Sequence, residues 1–193
     1  MGHTNGEWMS RNVRQNAIRK AKELLMTRPL FMDTETTGLG VDDEIIEIAI
    51  LDHNSQVVFE QLLKPLIRIP QDATRLHGIT NEQVQSAPSW ADVWPEIVRI
   101  TQNRYVGTYN ADFDNRMIQQ TNRIHRVTPP SSIRFFCVMK LYAEFYPYGG
   151  GRYQKLEDAG RQCGIALPNS HRAKDDTLLA IKVFEKIART SAI

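Results

Sequence analysis

Between about Asn12 and Met26, apolar residues recur every four positions, with Val13, Ala17, Ala21 and Leu25 on one stripe. That spacing predicts a helix, because residues three and four apart share a helical face. Arg11, Arg19, Lys20 and Lys22 occupy the remaining surface. The helix reads as packed on the domain with its charges in solvent, or alternatively as a nucleic-acid- or partner-binding arm. Three strand-like runs follow, Pro29 to Glu35, Glu44 to Leu51 and Val57 to Lys64. Turn signals at Gly38-Leu39-Gly40 and His53-Asn54-Ser55 separate them, which predicts an antiparallel meander. Helical patterns then alternate with strand runs near Tyr105 to Tyr109 and Ile133 to Cys137, and a last helix covers about Lys174 to Ala188. A meander followed by alternating strands and helices predicts an α/β domain on a mixed sheet.

Several carboxylates interrupt this pattern where apolar residues are expected. Leu30-Phe31-Met32 is apolar on both faces, as in a buried central strand, and runs directly into Asp33-Thr34-Glu35. Strand side chains alternate, so Asp33 and Glu35 share the face of Phe31. Two anions side by side at the end of a buried strand repel each other and lose solvation, so a cation should offset them. The bland alternative is a strand end that opens to water.

Helical phase sorts two further pairs of acids. Asp176 is in phase with Ala180, Val183 and Ile187, whereas Asp175 leads to Lys182 and Lys186. Asp114 lines up with Met117, Ile118 and Thr121, whereas Asp112 lines up with Asn115, Arg116 and Gln119. One acid of each pair points inward. No basic residue recurs on these inward faces with an obvious match to all four acids, and charged groups are rarely buried without a partner or a metal. Several carboxylates together suit Mg²⁺ or Mn²⁺ rather than zinc. His171 precedes Asp176 with four residues between them, and Pro168-Asn169-Ser170 just before it reads as loop. That puts His171 at the entrance to the last helix, in either a structural or a catalytic role.

Composition adds bounds. At 193 residues, with 41% hydrophobic and 24% charged positions, the chain fits one soluble domain with a real core. It has no apolar run of membrane-spanning length, and its first ten residues lack the apolar segment of a secretory signal. Cys137 and Cys163 are too far apart for a CxxC motif, so free thiols in a reducing cytoplasm are expected. A net charge of +2 permits a polyanionic partner without arguing for one.

Assembled in order, these residues resemble the DEDDh (DnaQ-like) 3′→5′ exonucleases. Phe31 to Leu39 matches the first motif of that family, Tyr109 to Asp114 the second, and His171 to Asp176 the third. Leu76-His77-Gly78-Ile79-Thr80 resembles a further segment that lines the terminal nucleotide's pocket. The likeness extends from about Pro29 to Ala188 and is closest to short stand-alone members with a basic helix ahead of the first motif. It divides the chain into that helix over residues 1–28 and an exonuclease domain over 29–193. By the same resemblance, no long C-terminal extension of the kind that tethers a proofreading subunit to its polymerase is expected.

The resemblance implies the ribonuclease H-like fold, a mixed β-sheet of about five strands flanked by helices. It also implies two Mg²⁺ or Mn²⁺ ions held by Asp33, Glu35, Asp114 and Asp176, with His171 as general base and nucleoside 5′-monophosphates as products. Histidine suits that role because its ordinary titration lies near neutrality. Thr36, Leu39 and Leu76 would contact the terminal nucleotide, and Asn110 its backbone. Phe113 would stack on a base or pack in the core. His77 would contact substrate or order its loop. The expected partner is nucleic acid with a free, single-stranded or frayed 3′ end, with DNA favoured and RNA the alternative. A catalytically silent binding module is a more distant reading, since no metal ligand is lost. A homodimer, or a polymerase or repair partner, leaves no readable interface. Gly149-Gly150-Gly151 lacks the Lys-Ser/Thr of a phosphate-binding loop and reads as a loop near the substrate groove, with Arg152 and Tyr153.

Overall fold

A computed structural model describes residues 5–128, 133–146, 153–166 and 171–191, with side chains described from Arg11 onward. The glycine run at 149–151, Arg152, and the loop residues Pro168, Asn169 and Ser170 lie outside the described residues. Five strands form one sheet: β1 (Leu30–Thr36), β2 (Ile45–Asp52), β3 (Val57–Leu62), β4 (Tyr105–Thr108) and β5 (Arg134–Cys137), in the order β3-β2-β1-β4-β5. β1, β2 and β3 are antiparallel neighbours, while β4 and β5 add in parallel. β1 is therefore central, and its Leu30, Phe31 and Met32 are buried. β3 closes one edge, and its Val57 and Val58 remain exposed.

Helices cover both faces. On one lie α1 (Asn5–Met26), α6 (Val138–Phe145), α7 (Leu156–Gln162) and α8 (Ala173–Ala188). Ala17, Ile18 and Ala21 of α1 join Phe31, Phe184 and Ile187 in the core there. The buried face of α1 differs in one position from the expected stripe: Val13 is 41% exposed, and Ile18 is buried in its stead. The basic residues face outward, with Arg19 paired to Glu23 and Lys20 to Glu144. On the other face, α4 (Trp90–Thr101) and α5 (Ala111–Ile124) pack Trp90, Trp94, Ile97 and Met117 against Leu30, Met32 and Ile48. The short helices α2 (Gln71–His77) and α3 (Asn81–Val84) cover a smaller cluster of Ile46, Ile69, Ile79 and Val84. Cys137 and Cys163 are both free thiols. Among the described residues, no helix is long and apolar enough to cross a membrane.

Gly107 in β4 marks the tightest contact below the site. A Cβ there would lie 2.5 Å from the Phe136 ring and 2.8 Å from Phe31. Gly107→Ala is therefore expected to overpack the sheet face under α8 and cost about 1–3 kcal/mol. At roughly 2–4 °C per kcal/mol for a chain of this size, thermal unfolding should register the loss. An unchanged melting temperature would mean that the two rings yield freely.

Candidate active site

The carboxyl end of β1 and the first turns of α5 and α8 meet at one point, and each contributes acid. Asp33 and Glu35 project from β1 on the face that α8 covers. Asp176 is in the first turn of α8 and Asp114 in the first turn of α5. Carboxylate oxygens of Asp33, Glu35 and Asp176 lie within 4.8 Å of one another. Asp114 is only 3% exposed, accepts a hydrogen bond from Thr34 Oγ1 at 3.1 Å, and acts electrostatically on Asp33. The outward members of the pairs behave as helical phase predicts: Asp112 is exposed and bound to Lys140, and Asp175 is less buried than Asp176.

Crowding and burial hold these acids far from their ordinary titration range. Burial, then the charges of Asp114, Glu35 and Asp176, raise Asp33 well above it. Burial followed by Asp176 and Glu47 pushes Glu35 up to about 8, against the opposing pull of Arg172. Asp114 is raised by burial to about 7 although the Thr108 and Thr34 hydroxyls oppose the rise. Asp176 rises to about 6, chiefly by burial, with His171 opposing. Among the described residues, Asp33, Glu35 and Asp114 form no ion pair with lysine or arginine. A crowded, oxygen-only donor set of this kind fits a hard divalent cation, whose charge removes the repulsion.

His171 stands one residue ahead of Arg172, the N-cap of α8. It adopts a left-handed backbone with φ 48°, uncommon for a residue other than glycine. Its charge acts on Asp176, whose carboxylate lies beside those of Asp33 and Glu35, so the third sequence motif meets the acids of the first.

The pocket candidates divide. Leu39 and Leu76 are 75% and 57% exposed. Asn110 is exposed at the N-cap of α5 and makes no side-chain capping bond. Thr36 is buried and donates to the Gly38 carbonyl at 2.8 Å, shaping the turn before Leu39. Phe113 is half-buried against the core beneath α5, with the Arg116 guanidinium 5.3 Å from its ring centroid. His77 orders its own loop: Nδ1 accepts from the Ile79 N–H at 3.0 Å. Its Nε2 is buried near the Thr36 backbone and forms a hydrogen bond of ordinary geometry with none of the described residues.

The exonuclease family model (RNase T) matches residues 30–184. The chain belongs to that family. An uncharacterized exonuclease, CP81, of Escherichia phage 186 is 34% identical over 184 residues, covering 90% of this chain and 95% of the phage protein. Exonuclease X, solved in complex with 5′ overhanging duplex DNA, is 26% identical with a TM-score of 0.61, over 81% of this chain and 89% of that one. The nuclease domain of 3′hExo, a DEDDh family member bound to rAMP, shares the fold at 20% identity and TM-score 0.66, over 80% of this chain and 88% of its own. The fold is the ribonuclease H-like one, and the chain is a DEDDh-type 3′→5′ exonuclease. Its family uses divalent metal ions, in keeping with the acidic cluster.

Two further acids of this exonuclease escaped the sequence reading. Glu44 is fully buried, with Oε1 accepting from the Leu66 and Ile67 N–H groups at 2.7 and 3.0 Å and Oε2 2.6 Å from His125 Nε2. It thereby ties the segment leading into α2 to the end of α5. Glu47 is 3% exposed and bound by Arg172. Both lie in or beside Ile45-Ile46-Glu47-Ile48, and the test that singled out Asp33, an acid inside an apolar strand, would have flagged them.

Proposed function

We propose that this exonuclease removes nucleoside 5′-monophosphates from single-stranded or frayed 3′ ends, chiefly of DNA, with His171 as general base. The convergence of Asp33, Glu35 and Asp176 oxygens within 4.8 Å carries the proposal. With Asp114, these residues would hold two Mg²⁺ or Mn²⁺ ions, which supply positive charge to the scissile phosphate and to the departing 3′-oxygen. The chain's own groups do the rest. His171 accepts the proton of the attacking water as the new bond to phosphorus forms, and the 3′-oxygen of the shortened strand leaves. Leu39 and Leu76 offer apolar surface to the terminal base. Such a contact needs the base unpaired, which accounts for the preference for single strands. Phe113 adds a stacking face worth about 1–3 kcal/mol, while Thr36, His77 and Asn110 line the sugar and backbone. A basic N-terminal segment over residues 1–28, which contains α1, is added to an exonuclease domain over 29–193, and the enzyme acts in the cytoplasm.

Exonuclease X was solved on DNA, and its 26% identity supports DNA over RNA. A gel assay with 5′-labelled DNA and RNA oligomers of matched sequence tests the proposal. Stepwise shortening of DNA in Mg²⁺ or Mn²⁺, complete arrest in EDTA and slower loss of RNA are expected. Cleavage that persists in EDTA would exclude the metal chemistry, and RNA degraded faster than DNA would reverse the substrate assignment.

A further inference from the structure

Glu47 of β2 stands directly opposite Glu35 of β1 in the antiparallel register. Opposed residues on neighbouring antiparallel strands point to the same face, and like charges placed so are destabilising. Glu47 is 3% exposed, so water does not relieve the repulsion. Arg172 does. Its Nε lies 3.1 Å from both Glu47 oxygens and its Nη2 lies 2.5 Å from Oε1. Glu47 Oε2 also accepts the Ala173 N–H at 2.9 Å. Ala173 is the first residue of α8, and the N-cap Arg172 makes no side-chain capping bond of its own. A strand carboxylate thus fills the place of a helix cap, where a negative charge is favoured.

This contact sits between the two functional residues of the third motif. His171 precedes Arg172 in a left-handed conformation, which persists in proteins only where the surroundings over-determine it. The Asp176 N–H donates to the Arg172 carbonyl at 3.0 Å. Any displacement of Arg172 therefore moves the histidine on one side and the aspartate on the other.

We propose that Glu47 and Arg172 form a positioning lock that holds His171 and Asp176 in register with Asp33 and Glu35, without either touching the substrate. The lock rests on the roles given above to His171 and Asp176. Glu47→Gln, Arg172→Lys, Arg172→Gln and the double Glu47→Gln/Arg172→Gln variant test it by steady-state kinetics and Mn²⁺ titration, with melting temperatures measured alongside. Partners one step behind metal-binding and catalytic groups typically carry about 10–100-fold in activity or metal affinity. The expected result is a fall of that size in kcat, with KM within about threefold and a higher Mn²⁺ midpoint. Arg172→Lys should recover part of the loss. The double variant should cost little more than the worse single one, since both residues act through one contact.

Three outcomes overturn the lock: wild-type kcat in Glu47→Gln, a loss confined to KM, or an equal kcat loss in a Gly107→Ala protein of matched melting temperature. A confined KM loss would make Arg172 a substrate contact, and the matched control would make the pair merely structural. His171→Ala in the same assay separates the two levels. If that variant is active, the reading of the site fails; if it is inactive while Glu47→Gln is normal, only the lock fails.

Discussion

Asp33→Asn is expected to reduce cleavage below detection and, in the same protein, to raise the melting temperature measured in EDTA at pH 8. The two effects share a cause. Asp33 is held well above its ordinary range, by burial first and then by Asp114, Glu35 and Asp176. Without a cation, the folded chain resists ionising this group, whereas the unfolded chain does not. Glu35 behaves alike, with a folded value of about 8 against an ordinary 4.5. A carboxyl whose folded value is raised contributes stability in full below its unfolded value and loses it as pH rises through the folded one. Metal-free protein should therefore weaken between about pH 4.5 and 8, the window marked by Glu35. Asparagine at position 33 removes one buried charge from the cluster, so the gain should be largest at pH 8 and small near pH 5. Relief of even ~1 kcal/mol corresponds to roughly 2–4 °C for a chain of this size. Mg²⁺ should raise the wild-type melting temperature by mass action and the variant's much less. A variant that cuts normally, or that melts below wild type in EDTA at pH 8, would refute the idea that these acids are built to share a cation.

His171→Ala is the second large effect, an expected fall in kcat of about 10²–10⁴-fold, the usual contribution of a positioned general base. KM should change little, because the proton is taken during the chemical step and not in binding. The folded state should survive: His171 is partly exposed and precedes α8 without belonging to it. Alanine at a φ of 48° carries some strain, so His171→Asn, which tolerates that backbone better, serves as a second variant. Normal turnover by both at neutral pH would remove the histidine from the reaction.

The sheet and its central strand were readable because apolar runs bounded by turn residues leave few alternatives. β1, β2, β4 and β5 fall within a residue or two of the expected segments. β3 ends at Leu62 because Lys64 turns away to bond the Pro88 carbonyl and bridge Ser89 instead. α2 and α3, of seven and four residues, are too short to leave a helical period, and they escaped notice. The inward acids Asp114 and Asp176 were legible from phase alone, since an apolar stripe fixes which neighbour is buried. Arg172 was not. Its partner lies 125 positions away in the chain, and no local pattern records a pairing made by folding. Leu39 and Leu76 were picked out by the family resemblance and not by any local pattern, and both side chains are exposed.

The order in which the acids occur along the chain governs when the enzyme comes to life. Asp33 and Glu35 belong to the first strand, whereas His171 and Asp176 arrive with the final helix. A ribosome adding ~5–20 residues per second needs on the order of ten seconds or more to travel between them. Until the last helix emerges and docks, a growing polypeptide holds only part of the cutting apparatus. Cleavage by a ribosome-bound chain is therefore expected only after that helix has emerged and packed on the sheet.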